Sequence, residues 1–324
     1  MYSYTAVQWV FFFYFYCFFG WCFESAYVSL KCRKPVNRGF MRGPFLPLYG
    51  SGAIMMLVVS MPFQDNLVLV YIASCIGATA LEYVTGVVME ALFKVRYWDY
   101  SKNSFNYKGY ICLWSSLAWG ALTILMTEVI HKPIEQLVLK IPTQILTVVT
   151  LLLTAVIFAD FALSFKAALD LKNVLVSMEK AKTELLHIQK RLDVIIALAN
   201  DDLANKREEF AENIGQRKEA LSEELETRID DLRKGIEEKL ESGKKLLQLS
   251  ENSSKHWEKL RSELADLRSK YNSSVEDRKR LSKSRDFFQR NMLRSNPTMS
   301  SKRFREALEE LKKSAAEKRD KDLK

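Results

Sequence analysis

Residues 144–169 read QILTVVTLLLTAVIFADFALSFKAAL, with only Asp160 and Lys166 charged. A hydrocarbon core of about 30 Å is crossed by roughly 20 apolar residues in a helix, so this stretch reads as a membrane span. Moving outward toward the N-terminus, four more apolar stretches follow the same rule or nearly so, at about 5–30, 45–61, 67–93 and 110–130. In the other direction the composition changes at once. Residues 171–324 hold 66 charged residues of 154 and six aromatics, whereas residues 1–170 hold 21 charged residues and 32 of the 38 aromatics. One oily half and one ionic half exclude a single water-soluble globule. The net charge of +9 is therefore placed relative to a membrane before it is read as a nucleic-acid signal, and nucleic acid is not expected as a partner.

The short loops set an expected orientation. The 31–43 loop carries Lys31, Arg33, Lys34, Arg38 and Arg42 without an acid, and the 94–109 loop carries Lys94, Arg96, Lys102 and Lys108 against Asp99. The alternate loop at 62–66 has no base, and 131–141 has only Lys132 and Lys140. By the positive-inside rule the basic loops are cytoplasmic, the N-terminus is outside, and five spans place the C-terminal half in the cytoplasm. The run from Thr5 to Phe23 lacks a basic flank and a cleavage site, so it reads as a retained helix. Five cysteines at irregular spacing, with no CxxC pair, argue against a disulfide framework or a zinc site, and no cofactor is expected.

Residues 39–52, GFMRGPFLPLYGSG, contain four glycines and two prolines and cannot form a regular helix throughout. They nevertheless lead straight into the second apolar stretch. One reading folds part of this segment into the bundle as a re-entrant or broken helix; the other starts a helix at Pro44 that tolerates Pro47. Glu24, Glu82, Glu90 and Asp160 fall within the apolar stretches, and each needs a partner or water. Thr79, Glu82, Gly86 and Glu90 share one helical face, and Gly86 would let a neighbouring helix approach. Arg38 and Arg42 are the expected partners of Glu82 and Glu90. The group is either an ion-pair lock or part of an ion, proton or substrate path. In the aromatic loop from Tyr97, Asp99 and Asn106 are expected to cap turns, and Trp114 and Trp119 to enter the core.

Several strings occur together and in order: Phe19-Gly20-Trp21 with Glu24; Asn37-Arg38-Gly39-Phe40 with Gly43-Pro44 and Pro47-Leu48-Tyr49-Gly50; Glu82-Tyr83 with Thr85-Gly86 and Glu90; Trp98-Asp99-Tyr100-Ser101; then Asn106, Gly109, Ile111-Cys112-Leu113 and Trp119-Gly120. They resemble the bacterial family described as "putative ABC-transporter type IV", over about residues 5–170. Asn296-Pro297 and the run after it look like tails seen in such proteins. The resemblance implies a permease. No G-x-x-x-x-G-K-[ST] motif occurs, so a separate ATPase subunit is the expected partner.

Beyond residue 170, 171–199 reads as a helical extension of the last span and 200–324 as a charged cytoplasmic coiled coil or hairpin. Leu225, Ile229, Leu232 and Ile236, then Trp257, Leu260, Leu264, Leu267 and Tyr271, step at three- and four-residue intervals. A hairpin of 200–249 against 255–293 competes with an extended rod that forms homo-oligomers. Ser250–Ser254 reads as a turn, and Pro297 ends a helix. The expected fold is all-α: a five-span polytopic bundle over 1–170 in the lipid bilayer of the cell membrane, followed by cytoplasmic helices. The expected function is a permease subunit rather than an enzyme; the alternative is a membrane-anchored coiled-coil scaffold or sensor.

Overall fold

The computed structural model describes residues 4–204, 229–249, 255–283 and 287–322. Leu225, Gly215 and the expected turn at 250–254 lie outside the described residues. The described chain is helical apart from one two-residue strand pair. It divides into two compact units, Met1–Asn173 with Arg285–Lys324, and Val174–Ser284.

In the first unit, α1 (Ala6–Cys32) starts at a reciprocal cap between Thr5 and Gln8 and stops at Arg33, whose φ of 51° lies in the left-handed region. α2 (Pro47–Ser60) begins with proline at its first position, where a missing N–H costs nothing, and runs into a 3-10 turn at Met61–Phe63. Asn66 caps α3 (Leu67–Phe93) by accepting from the Val68 and Leu69 amides. A loop containing the pair β1 (Asn106–Tyr107) and β2 (Ile111–Cys112) leads to α4 (Leu113–Leu125). A π turn at Met126–Ile130 and α5 (His131–Leu139) continue it, and α6 (Thr143–Ala204) follows. Near the other terminus lie α9 (Phe287–Ser295) and α10 (Arg305–Asp322).

Four helical stretches, Ala6–Cys32, Leu67–Phe93, Leu113–Leu139 and the apolar part of α6, are long and apolar enough to cross a membrane. Their outer faces carry exposed Phe23, Leu30, Ile76, Leu151 and Phe158, as a lipid-facing surface requires. The chain is a multi-pass membrane protein. The fifth apolar segment, Pro47–Phe63, is shorter. Its length is explained by the segment before it. The Leu46 amide donates to the Cys17 carbonyl at 2.9 Å, so the chain has run back along α1 by fifteen residues, about 22 Å. Of the 39–52 segment, the part up to Leu46 is irregular and the helix starts at Pro47, not at Pro44. Polar groups of residues 33–46 find partners inside the unit: Val36 N on Ser29 Oγ, Arg38 N on Ser25 Oγ, and Gly43 N on Asp160 Oδ2 at 2.8 Å.

Tyr49 then packs directly on α1 at Gly20, where a Cβ would lie 2.3 Å from the Tyr49 Cβ. Gly20→Val is therefore expected to destabilise the unit by about 1–3 kcal/mol through overpacking. Thermal unfolding in detergent is the measurement; an unchanged midpoint would rule out this close approach.

Among the described residues, the second unit packs the later part of α6 with α7 (Ile229–Leu249) and α8 (Lys255–Lys283). Leu185, Ile188, Leu192 and Ile195 meet Ile236 and Leu240 of α7 and Leu260, Leu264, Leu267 and Tyr271 of α8. Tyr271 donates to Glu237 at 2.8 Å, and Arg278 to the Met178 carbonyl at 2.7 Å. The described part of the expected seams, Ile236 of α7 and Leu260, Leu264, Leu267 and Tyr271 of α8, thus packs against α6 in one core. The expected grouping of 200–324 as one region differs from the structure, because 285–324 compact with 1–173. Met292, Leu293, Met299 and Phe304 supply the apolar burial that holds them there.

Candidate functional site

The acids of the apolar stretches gather near one end of the first unit, each with its own set of donors. Glu24 lies one helical turn beyond Gly20, beneath Tyr49, whose hydroxyl donates to Glu24 Oε2 at 2.8 Å. Arg38 Nε lies 3.5 Å from Glu24 Oε1. The Arg38 guanidinium is buried, and its remaining N–H groups meet Asn296 Oδ1 at 2.8 Å, Tyr97 O and Thr298 Oγ1 at 3.1 Å, and Ser295 O at 3.5 Å. The guanidinium thus makes four hydrogen bonds through its two terminal nitrogens and an ion pair through Nε.

Glu82 is 6% exposed and sits eleven residues before the end of α3. Tyr100 donates to its Oε1 at 2.9 Å, and Trp119 Nε1 to its Oε2 at 3.2 Å, with Ser115 Oγ 3.3 Å away. No cation pairs with it among the described residues. Glu90 accepts from Tyr110 and from Arg96 Nε, both at 2.5 Å. Arg96 also donates to the Lys108 carbonyl at 2.9 Å and lies over the Tyr110 ring.

The expected pairing of Arg38 and Arg42 with Glu82 and Glu90 is therefore corrected. The breaker-rich segment runs along α1, which brings Arg38 to Glu24, while Arg96 turns back onto Glu90 just past the left-handed cap at Lys94. Arg42 lies over the Phe288 ring at 3.9 Å. Gly86 faces Tyr110 and Trp98 of the loop, not a neighbouring helix. Trp119 joins the packed interior, but Trp114 is two-thirds exposed. Asp160 holds the Gly43 amide, one residue before Pro44.

The aromatic loop is built as its turn residues suggested. Asp99 accepts from Ser101 N at 3.0 Å and Oγ at 2.5 Å, and Asn106 Oδ1 accepts from Gly109 N, whose φ is 76°. Trp98 Nε1 donates to the Tyr110 carbonyl, and Asn37 Oδ1 accepts from Trp21 Nε1. Burial opposes ionisation of Asp99, but the Ser101 hydrogen bonds, then Ser300 and the Arg96 charge, outweigh it and hold its carboxyl below the ordinary value. Its contribution to loop stability is thus present above the unfolded pKa of about 3.9 and is lost as pH falls through the lower folded value.

Several members of the site carried no clear signal in the sequence. Arg96 counted only as a loop charge, and Tyr110 and Ser115 were given no role. Asn296 and Thr298 lie some 260 positions from Arg38. A second polar group forms where α1 begins. His131 is fully buried, with Tyr4 Oη 3.0 Å from Nε2 and Tyr16 Oη 2.8 Å from Nδ1, and Tyr4 donates to Glu135. The preceding π turn offsets the helix just before His131.

The Glu24, Arg38, Glu82, Glu90 and Trp98–Asp99–Tyr100 positions are those that carried the family resemblance. Residues 11–165 match the family "Putative ABC-transporter type IV". The resemblance read from the ordered strings thus holds over nearly the same range. The match ends short of the second unit and of α9 and α10. Comparison with curated proteins and with solved structures gives no match.

Proposed function

We propose that this chain is a membrane-embedded permease component of an ATP-driven transporter, with Glu82 as the acid that takes up and releases a proton or cation along its path. The observation that carries this reading is the set of three neutral donors around a buried carboxylate that, among the described residues, meets no countercharge. A lock is normally built as a charged pair, as at Glu24–Arg38 and Glu90–Arg96. A lone carboxylate held by hydroxyl and indole groups changes its protonation with less loss of partners. In this reading the chain is not itself an enzyme, and ATP hydrolysis belongs to a separate subunit.

The proposed topology has five spans, with Pro47–Phe63 completing a crossing that the re-entrant segment begins. The 31–43 and 94–109 loops and the tail are cytoplasmic. Support comes from the loop charges and from the tail's contacts to both loops. Single cysteines at Gln64 and Lys302, in a cysteine-free background, separate the alternatives. In intact cells an impermeant thiol reagent is expected to label Gln64→Cys and to spare Lys302→Cys; the reverse pattern sinks the orientation. Purification of the full chain in mild detergent is expected to bring an ATPase with it. Its consistent absence, with the chain intact, would favour the anchored scaffold or sensor, a reading supported by the packed second unit.

A further inference from the structure

Two grips hold one loop. On one side Asp160 of α6 binds the Gly43 amide at 2.8 Å, thirteen residues before the chain leaves the first unit after Asn173. On the other, Asn296 Nδ2 donates to the Gly39 carbonyl at 2.8 Å. Arg38, next to Gly39, donates to Asn296 Oδ1, Thr298 Oγ1 and Ser295 O. The segment that makes up the second grip is itself docked on the aromatic loop. Arg96 and Ser300 exchange both backbone hydrogen bonds, at 2.7 and 2.9 Å, and Ser301 Oγ donates to the Lys94 carbonyl at 2.7 Å. Ser300 Oγ donates to Asp99 Oδ2, and Lys312 Nζ fastens the curve by donating to the Pro297 and Met299 carbonyls.

The Val174–Ser284 unit is therefore spliced into the chain between two attachments to the same fourteen-residue stretch, 33–46. That stretch carries Arg38 to Glu24 and leads into Tyr49. We infer that residues 292–301 are a strap through which the folded state of the 174–284 unit reaches the Arg38–Glu24–Tyr49 cluster. Engaged, the strap supplies three of the four hydrogen-bond acceptors of the Arg38 side chain. Released, it leaves the buried guanidinium short of partners, and the loop must repack or hydrate. The proposed coupling runs along the chain on either side of the inserted unit. This inference does not depend on transport.

Hydrogen exchange on the full chain in lipid nanodiscs tests it. Asn296→Lys sets a cation against Arg38 and is expected to speed exchange of the Arg96 and Ser300 amides by about tenfold or more, with protection inside Leu67–Phe93 unchanged as the folding control. Ile236→Asp with Leu264→Asp disrupts only the core of the second unit and is expected to speed exchange at the same two amides. If that double variant loosens 174–284 but leaves Arg96 and Ser300 at the wild-type rate, the coupling is refuted. If Asn296→Lys leaves them protected, the strap is not held through Arg38. Should Asn296→Lys fail to fold, Thr298→Val, which removes one acceptor, decides the point by a several-fold acceleration at those amides or by none.

Discussion

Arg38→Met is expected to destabilise the membrane unit by about 3–5 kcal/mol, the range for breaking a buried charge from one side. The side chain is buried, pairs with Glu24, and donates to Ser295, Asn296, Thr298 and Tyr97. Methionine fills much of the volume but leaves Glu24 without its cation and the acceptors without donors. Arg38→Lys is no conservative rescue, since an ammonium has three donors and cannot match the planar spread of a guanidinium. Adding Glu24→Gln to Arg38→Met removes the stranded charge and should restore part of the loss. Thermal unfolding of the four proteins in one detergent gives the cycle. Additivity of the two single effects would mean that Glu24 and Arg38 do not interact.

Glu82→Gln is expected to do the opposite, leaving stability within about 1 kcal/mol while abolishing rescue of a deletion strain. Glutamine keeps the shape of glutamate. Its carbonyl can accept from Trp119, and its amide can donate to the Tyr100 hydroxyl, which also accepts. What it cannot do is gain or lose a proton, or hold a cation through a full negative charge. Glu82→Leu is the structural control, because it strands three donors and should lower the unfolding midpoint clearly. Full rescue by a stable Glu82→Gln protein would remove Glu82 from any path. Loss of rescue together with a large loss of stability would return it to a locking role.

Much of the architecture is local in origin and was legible from residue order alone. A 26-residue apolar run or a seam such as Leu260–Leu264–Leu267–Tyr271 states its structure within a few turns. So does the helical face shared by Thr79, Glu82 and Glu90, since the period of the helix fixes it. The family strings are likewise contiguous, and their resemblance covered nearly the range that the family match spans. The breaker-rich segment also announced that it would not be regular, although residue order left its path open between two alternatives.

Which groups meet was a tertiary matter. Glu82 and Glu90 lie on one face, yet Glu90 takes Arg96 from its own C-terminal loop and Glu82 takes only neutral donors. Charge counting assigned both to Arg38 and Arg42, because composition records how many cations are near in sequence and not which way a loop turns. The path of 33–46 depends on a single approach at Gly20 and on acceptors as distant as Asp160 and Cys17. The docking of 292–301 joins positions some 200 to 260 residues apart through hydrogen bonds, many of them to backbone carbonyls. Backbone acceptors are the same for every residue type, so sequence by itself determined the helices and their apolar faces, and only the tertiary structure decided which buried charges were satisfied and by what.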